Sequence, residues 1–352
     1  MFTIIIPTFE RHDILLRAID YYQHFNCNVL ILDSSDNKLI HKFPDNIIYK
    51  HLPKMGFGQK IYKAAEDITT PYACLVADDD YIIESGLKAG VCFLDDNPDY
   101  ASAQGRYYKF ELIENRVTFS PRYGLDSCHY GVESNDTSSR IIRAFNPYMH
   151  HSYAIHRTEL FTKSWKLASF FKNLYWENLP LPELMQLLAP MCYGKHKVLP
   201  ILWIVRDSYI FDHIRRQKYL ADTNKNSCLI FHHYKQLTNI AKTVESFLNS
   251  KESQLLKKLF REVIPGLGND KKSDRLFNSA FKSYSKWLIS ERNKIIFKLI
   301  IKLFIPNWIF KHYKERKKNQ YSSVIEKKSF SDDFNKIRLS VLNFQKCYDN
   351  YR

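Results

Sequence analysis

Glycine and proline are scarce in this chain, 10 and 13 among 352 residues, which excludes collagen-like and other fibrous architectures. Its seven cysteines are irregularly spaced and include no C-x-x-C pair. Neither a disulfide framework nor a zinc site is therefore expected, and reduced thiols in a cytosolic protein are the plain reading. The opening residues, Met1-Phe2-Thr3-Ile4-Ile5-Ile6-Pro7, contain no basic stretch and no long apolar run, so no secretory signal is expected. No internal repeat is present.

What the chain has is ordinary globular material. Hydrophobic residues make up 45%, charged residues 25% and aromatics 15%, which argues against disorder, and the length suggests about two domains. The formal net charge of +15 is unevenly divided. Residues 1–215 hold 23 Lys and Arg against 25 Asp and Glu, whereas residues 216–352 hold 29 against 12. A near-neutral catalytic or binding domain followed by a basic, mainly helical region is expected, divided near residue 216.

Short apolar runs alternate with helical patterns through the first hundred residues. Strands are expected over 2–8, 28–33, 47–51 and 72–77, and helices over 14–22, 56–68 and 85–94. Continuously apolar strands separated by helices predict an α/β fold with a mostly parallel sheet flanked by helices. Further strands are expected over 107–113, 116–120, 148–155 and 198–205, with helices over 158–171 and 182–188. Beyond residue 216 the pattern is helical.

Ligands of open α/β sheets bind outside the carboxyl ends of the strands. Those ends carry Thr8, Phe9, Glu10 and Arg11, then Asp33, then Lys54 and Gly56, then Asp78, Asp79 and Asp80. Three adjacent carboxylates closing a buried strand call for a positive partner, and hard oxygen donors suit Mg²⁺ or Mn²⁺. The alternative is an acidic start to the helix near residue 85, for which one aspartate would suffice.

The motifs IIIPTFER at 4–11, LILDSS at 30–35 and VADDD at 76–80, in this order and spacing, resemble the family 2 glycosyltransferases with the GT-A fold. The resemblance is good over about residues 1–105 and thins towards 215. It implies a Rossmann-like sheet, a nucleotide-sugar donor and transfer to a glycan or lipid-linked acceptor, in surface polysaccharide biosynthesis in a bacterium. Thr8, Phe9, Glu10, Arg11 and Asp33 would surround base and ribose. Asp78, Asp79 and Asp80 would supply the ligands of a metal bridging the diphosphate, which two of the three being left open. Lys60 matches a basic position of the second crossover helix more loosely, and a solvated helix lysine reads equally well.

The family generally inverts, so one carboxylate base should take the acceptor hydroxyl's proton. The family's acidic pair is absent here. Glu183, in the first turn after Pro182, is the candidate base and Glu177 the reserve; simple compensation of the helix dipole would also explain Glu183. After the 198–205 strand, Arg206 and Arg215 are candidate phosphate contacts and His213 a candidate third metal ligand.

Residues 282–318 hold eleven Lys and Arg against two Glu. Lys294, Lys298 and Lys302 recur at helical spacing and interrupt any bilayer-spanning stretch. Such a helix suits the surface of an anionic membrane, peripheral to its cytoplasmic face, although packing on the catalytic domain or a dimer contact would use it equally well. Nucleic acid is not an expected partner, because no binding motif accompanies the charge. Two other enzyme classes fit less well. A sugar nucleotidyltransferase needs a Gly-rich loop after the first strand, absent from 7–13, and a metal-dependent phosphatase would be expected to have a nucleophile there.

Overall fold

A computed structural model describes residues 1–113, 116–124, 126–146, 148–171, 180–207, 247, 250–264, 270–304 and 330–350. Described residues form one nine-stranded sheet in the order β3-β2-β1-β4-β8-β6-β9-β5, with β7 paired to β6. The first half is β1 (Phe2–Thr8), α1 (His12–Tyr22), β2 (Asn28–Asp33), β3 (Ile47–His51), α2 (Phe57–Ala65), β4 (Tyr72–Leu75), β5 (Tyr81–Ile82) and α3 (Glu84–Asp96). There follow β6 (Tyr100–Ile113), β7 (Arg116–Pro121), α4 (Thr137–Arg143), β8 (Ile155–Arg157), α5 (Thr158–Ala168), α6 (Pro180–Tyr193) and β9 (Lys195–Asp207). The described residues beyond β9 include α7 (Lys251–Val263), α8 (Asp270–Phe304) and α9 (Ser331–Asn350).

The strands β1 to β4, β6 and β9 run one way; β5, β7 and β8 oppose them. Side chains alternate across β1, so Ile5 joins the core under α2, α5 and α6, whereas Ile4 and Ile6 pack beneath α1 and α3. Helix α3 can lie directly on β9 because Gly86 has no Cβ; one placed there would meet the Leu202 carbonyl oxygen at 2.6 Å.

The carboxyl-terminal helices cover the same sheet. Leu256 and Phe260 of α7 and Phe277, Phe281 and Tyr284 of α8 share the core of α5 and α6. Phe334, Ile337 and Val341 of α9 enter a third cluster with Tyr81, Phe110 and Phe119. The first turns of the basic 282–318 stretch are thus packed, with Tyr148 against Trp287 at 4.4 Å, while Lys294 is exposed and paired to Glu291. Lys298 and Lys302 have side chains outside the described residues. No described helix is long and apolar enough to cross a membrane.

One expected strand is corrected. Tyr148 makes only an isolated bridge to Phe145, the chain turns over 152–154 with the Ala154 N–H donating to the His151 carbonyl, and the strand occupies only Ile155–Arg157. The apolar run there serves burial: Met149, Tyr153 and Ala154 are core residues outside any ladder.

Candidate donor-binding site

The sheet reverses its winding at β1. From β1 the chain goes to β2 and β3 on one side, then returns to β4 on the other. The carboxyl ends of β1, β2 and β4 therefore open on a crevice at the switch point, where α/β sheets bind ligands.

One wall is built on Asp33, the last residue of β2, whose side chain is wholly buried. Its Oδ1 accepts from the Ser35 N–H at 2.8 Å. Its Oδ2 accepts from the Tyr49 hydroxyl at 2.6 Å and lies 2.8 Å from His12 Nε2. Burial works against its charge, but the bonds from Ser35, Tyr49 and His12 outweigh it and lower the pKa below the ordinary carboxylate value. Glu10 adopts a left-handed φ of 53°. This turn lets its N–H reach Ser35 Oγ at 2.7 Å and its carboxylate accept from the Asp36 N–H at 2.7 Å. Phe9 beside it is 57% exposed, an aromatic face open to the crevice rim.

The other wall is the Asp78-Asp79-Asp80 turn between β4 and β5. Asp78 accepts from the Thr8 hydroxyl at 2.6 Å and from Arg11, which also donates to Asp79 Oδ2 at 3.0 Å. Asp80 points the other way, accepting from Arg206 Nε and the Asp207 N–H, both at 2.9 Å. Burial raises the Asp78 pKa to about 6 against the pull of Arg11, and raises Asp80 against Arg206. Helix α1 holds this turn by its backbone: Arg17 donates to the Asp79 carbonyl at 2.8 Å and Tyr22 to the Asp80 carbonyl at 2.9 Å.

Between the walls lies Lys60. It is buried, and donates to the Thr8 carbonyl at 2.6 Å and Ser34 Oγ at 2.9 Å. Desolvation lowers its pKa to about 8, opposed by Asp78 and Asp33. The alternative of a solvated helix lysine is thereby overturned.

Thr8, Asp33, Lys60, Asp78, Asp79, Asp80, Arg11 and Arg206 are thus gathered in one place. Helix α6 begins at Pro180, so Glu183 does lie in its first turn, but its side chain is outside the described residues, as are Glu177, His213 and Arg215 entirely. Sequence patterns do not single out His12, Arg17 or Tyr49. His12 and Tyr49 give no signal, being single polar residues outside the three motifs. Arg17 does give one: it is a charge on the apolar face of an amphipathic helix.

The carboxylate cluster fits a hard divalent ion by its chemistry. Its acids are oxygen donors, and burial raises the pKa of Asp78 and Asp80 even beside Arg11 and Arg206. No three His, Cys, Asp or Glu side chains converge as a complete site among the described residues.

The fold is of the GT-A type, with the crevice at its switch point. Residues 3–165 match the family model described as glycosyl transferase family 2. That match spans a little under half of the chain and supports a glycosyltransferase domain similar to those of family 2, which use nucleotide-sugar donors. Solved structures of S. aureus TarS are also similar. TarS 1–349 has 14% identity and a TM-score of 0.41, covering 83% of this chain and 91% of that one. Its complex with UDP-GlcNAc has 13% identity and a TM-score of 0.43, covering 83% and 92%. No curated protein sequence matches the chain.

Proposed function

We propose that the protein is a divalent-metal-dependent, inverting glycosyltransferase that moves a sugar from a nucleotide-sugar to a hydroxyl of a glycan or lipid-linked acceptor, in surface polysaccharide biosynthesis. The observation that carries this reading is the pairing of two walls across one switch-point crevice: buried Asp33 on one, the three aspartates on the other.

Donor nucleoside fits against Thr8, Glu10 and Asp33, with Phe9 offering a face for stacking the base. Asp78, Asp79 and Asp80 would hold Mn²⁺ or Mg²⁺. Such an ion supplies Lewis-acid charge relief to the departing diphosphate. Asp79 is the most accessible of the three, since Asp78 and Asp80 are buried. Arg11 balances Asp78 and Asp79 until the donor arrives, and Arg206 does so for Asp80. Lys60 ties the Thr8 carbonyl at the end of β1 to the Ser34 hydroxyl just beyond β2, so the two strand ends form one wall. Arg215 would contact phosphate and His213 would add a metal ligand.

Glu183 takes the acceptor hydroxyl's proton as its oxygen attacks the anomeric carbon, with Glu177 in reserve. Residues 1–215 carry the chemistry. Residues 216–352 dock it at the cytoplasmic face of an anionic membrane through 282–318, a reading supported by the eleven Lys and Arg of that stretch.

Hydrolysis of a nucleotide-sugar in the absence of acceptor tests the proposal. Slow release of the nucleoside diphosphate (CMP from a CMP-sugar), dependent on Mn²⁺ or Mg²⁺ and lost on chelation, is expected. Release of pyrophosphate, or no turnover of UDP-, GDP- or CMP-sugars with either ion, would contradict it.

A further inference from the structure

Helix α9 begins some 250 residues after the Asp78-Asp79-Asp80 turn, yet it touches the residues that hold that turn in place. Its apolar face, Phe334, Ile337 and Val341, is buried against β5, β6 and β7. Phe334 packs edge-on to Tyr108 at 5.4 Å and tilts over Phe119 at 4.4 Å. That much is ordinary packing. One turn further on, the contacts change character.

The Ser340 hydroxyl lies 3.2 Å from the hydroxyl of Tyr81, the residue directly after Asp80. The Phe344 ring stands 5.4 Å from the Arg17 guanidinium. Tyr81 at 5.2 Å and Phe110 at 5.9 Å provide two more aromatic rings around the same cation. Arg17 is almost wholly buried. A buried guanidinium is tolerated only where its charge and donors are met. Arg17 meets them with the Asp207 carboxylate at 3.0 Å and the Asp79 carbonyl at 2.8 Å. Aromatic faces around the cation favour it electrostatically and exclude water, and the low local dielectric strengthens both bonds. Asp207 in turn presents its N–H to Asp80. Asp79 is therefore held by Arg17, which α9 covers, and Asp80 accepts from the backbone of Asp207, the ion-pair partner of Arg17.

We propose that α9 is a positioning element of the donor site, with Ser340 and Phe344 setting the Asp78-Asp79-Asp80 turn through Tyr81 and Arg17. Its bearing on catalysis rests on the donor-site reading above. Arg17, Tyr81, Ser340 and Phe344 touch neither donor nor acceptor in this scheme; they act through the aspartates. The competing possibility is that α9 merely seals an apolar patch, in which case loosening it would lower stability everywhere and alter nothing specific at the turn.

Hydrogen exchange on the full chain separates the two. Phe344→Leu keeps bulk and removes the ring; Ser340→Ala removes one hydroxyl; Phe344→Tyr restores an aromatic face. In Phe344→Leu and Ser340→Ala, amides of residues 79–82 should exchange about tenfold faster, while 331–343 and β1 keep their protection. Phe344→Tyr should exchange like the wild type. UDP, GDP and CMP, each titrated with Mn²⁺, should show a parallel loss of about fivefold in affinity for whichever nucleotide binds, again recovered in Phe344→Tyr. Unchanged exchange at 79–82 in the leucine variant overturns the proposal. So does a uniform rise across the sheet, or a loss that Phe344→Tyr fails to restore. If no nucleotide binds the wild type, the donor-site reading fails and the exchange pattern still decides whether α9 braces the turn. Should Phe344→Leu not fold, exchange at 79–82 in Ser340→Ala decides the same question through Tyr81.

Discussion

The Tyr49 hydroxyl donates to Asp33 Oδ2 at 2.6 Å, so β3 holds the carboxylate that ends β2. The bond reaches further than two strands. Tyr49 stacks on Phe43 at 4.6 Å, and its oxygen also accepts from the Leu39 N–H at 3.0 Å, pinning the segment that leads from β2 to β3. One hydroxyl thereby ties the floor of the crevice to its rim.

Replacing Asp33 by Asn exchanges one acceptor oxygen for a donor amide that faces other donors. A buried hydrogen-bonding group left without its partner costs about 1–3 kcal/mol. Asp33→Asn should therefore lower stability in urea by about that amount and weaken nucleotide binding at least tenfold. Because the folded pKa is depressed, the stability that Asp33 contributes is complete above its unfolded value of about 3.9 and is lost as pH falls through the folded value. The variant should lack that acid-dependent component.

Arg11 sets one guanidinium against both Asp78 and Asp79. Arg11→Gln should leave those carboxylates seeking a cation. Manganese titration followed by electron paramagnetic resonance should show tighter binding without nucleotide in Arg11→Gln than in the wild type, by about fivefold. Asp79→Asn should abolish the gain. Equal affinity in wild type and Arg11→Gln would remove Arg11 from its charge-balancing role.

The sequence patterns locate the sheet's parallel half almost to the residue, because continuous apolar strands and helical periodicity are strong local signals. Phe2–Thr8, Asn28–Asp33 and Ile47–His51 are each legible in this way. Clustering of Asp33 with Asp78, Asp79 and Asp80 is legible too, since all end strands. What cannot be read are the long-range partners: Tyr49 and His12 on Asp33, Arg17 beneath Asp79, and α9 over Arg17. These depend on which faces meet after the chain has folded. The false strand over 148–154 has the same origin, as burial there comes from turns packed between elements and leaves no ladder to detect.

Glu183 is expected to act on the acceptor and to leave the donor alone. Glu183→Gln should lower transfer by at least 100-fold, within the range general-base catalysis contributes. The Kd for donor should stay within twofold of wild type by calorimetry. Near-normal turnover would move the role to Glu177.

Three histidines give the fold an acid limit. His151, His156 and His196 are buried, His151 stacked on His196 at 4.2 Å and His196 bonded to Ser102 at 2.8 Å. Desolvation lowers His151 to about 3 and His156 to about 4, and pushes His196 well down. All three are neutral in the fold, whereas the unfolded chain protonates them near pH 6.5. Their contribution is complete above about pH 6.5 and is lost as pH falls towards the folded values, by about 1.4 kcal/mol per group per unit. Asp78, raised by burial to about 6, works in the opposite sense below that pH, and Asp80 is raised in the same direction. Urea midpoints should thus fall most clearly between pH 6.5 and 6. His151→Phe, which keeps a ring against His196, should reduce that slope by about a third.

Above all, the crevice between Asp33 and the three aspartates is proposed to bind the nucleotide of a sugar donor with a divalent ion. Thermal unfolding with UDP, GDP and CMP, each with and without Mn²⁺, tests this most directly, since a ligand that binds only the folded state stabilises by about 2.7 kcal/mol at 100 times its Kd. One nucleotide should raise the Tm by several degrees with Mn²⁺ and little without, and Asp79→Asn should erase the difference. A Tm unmoved by all three nucleotides, or moved equally in Asp79→Asn, would contradict it.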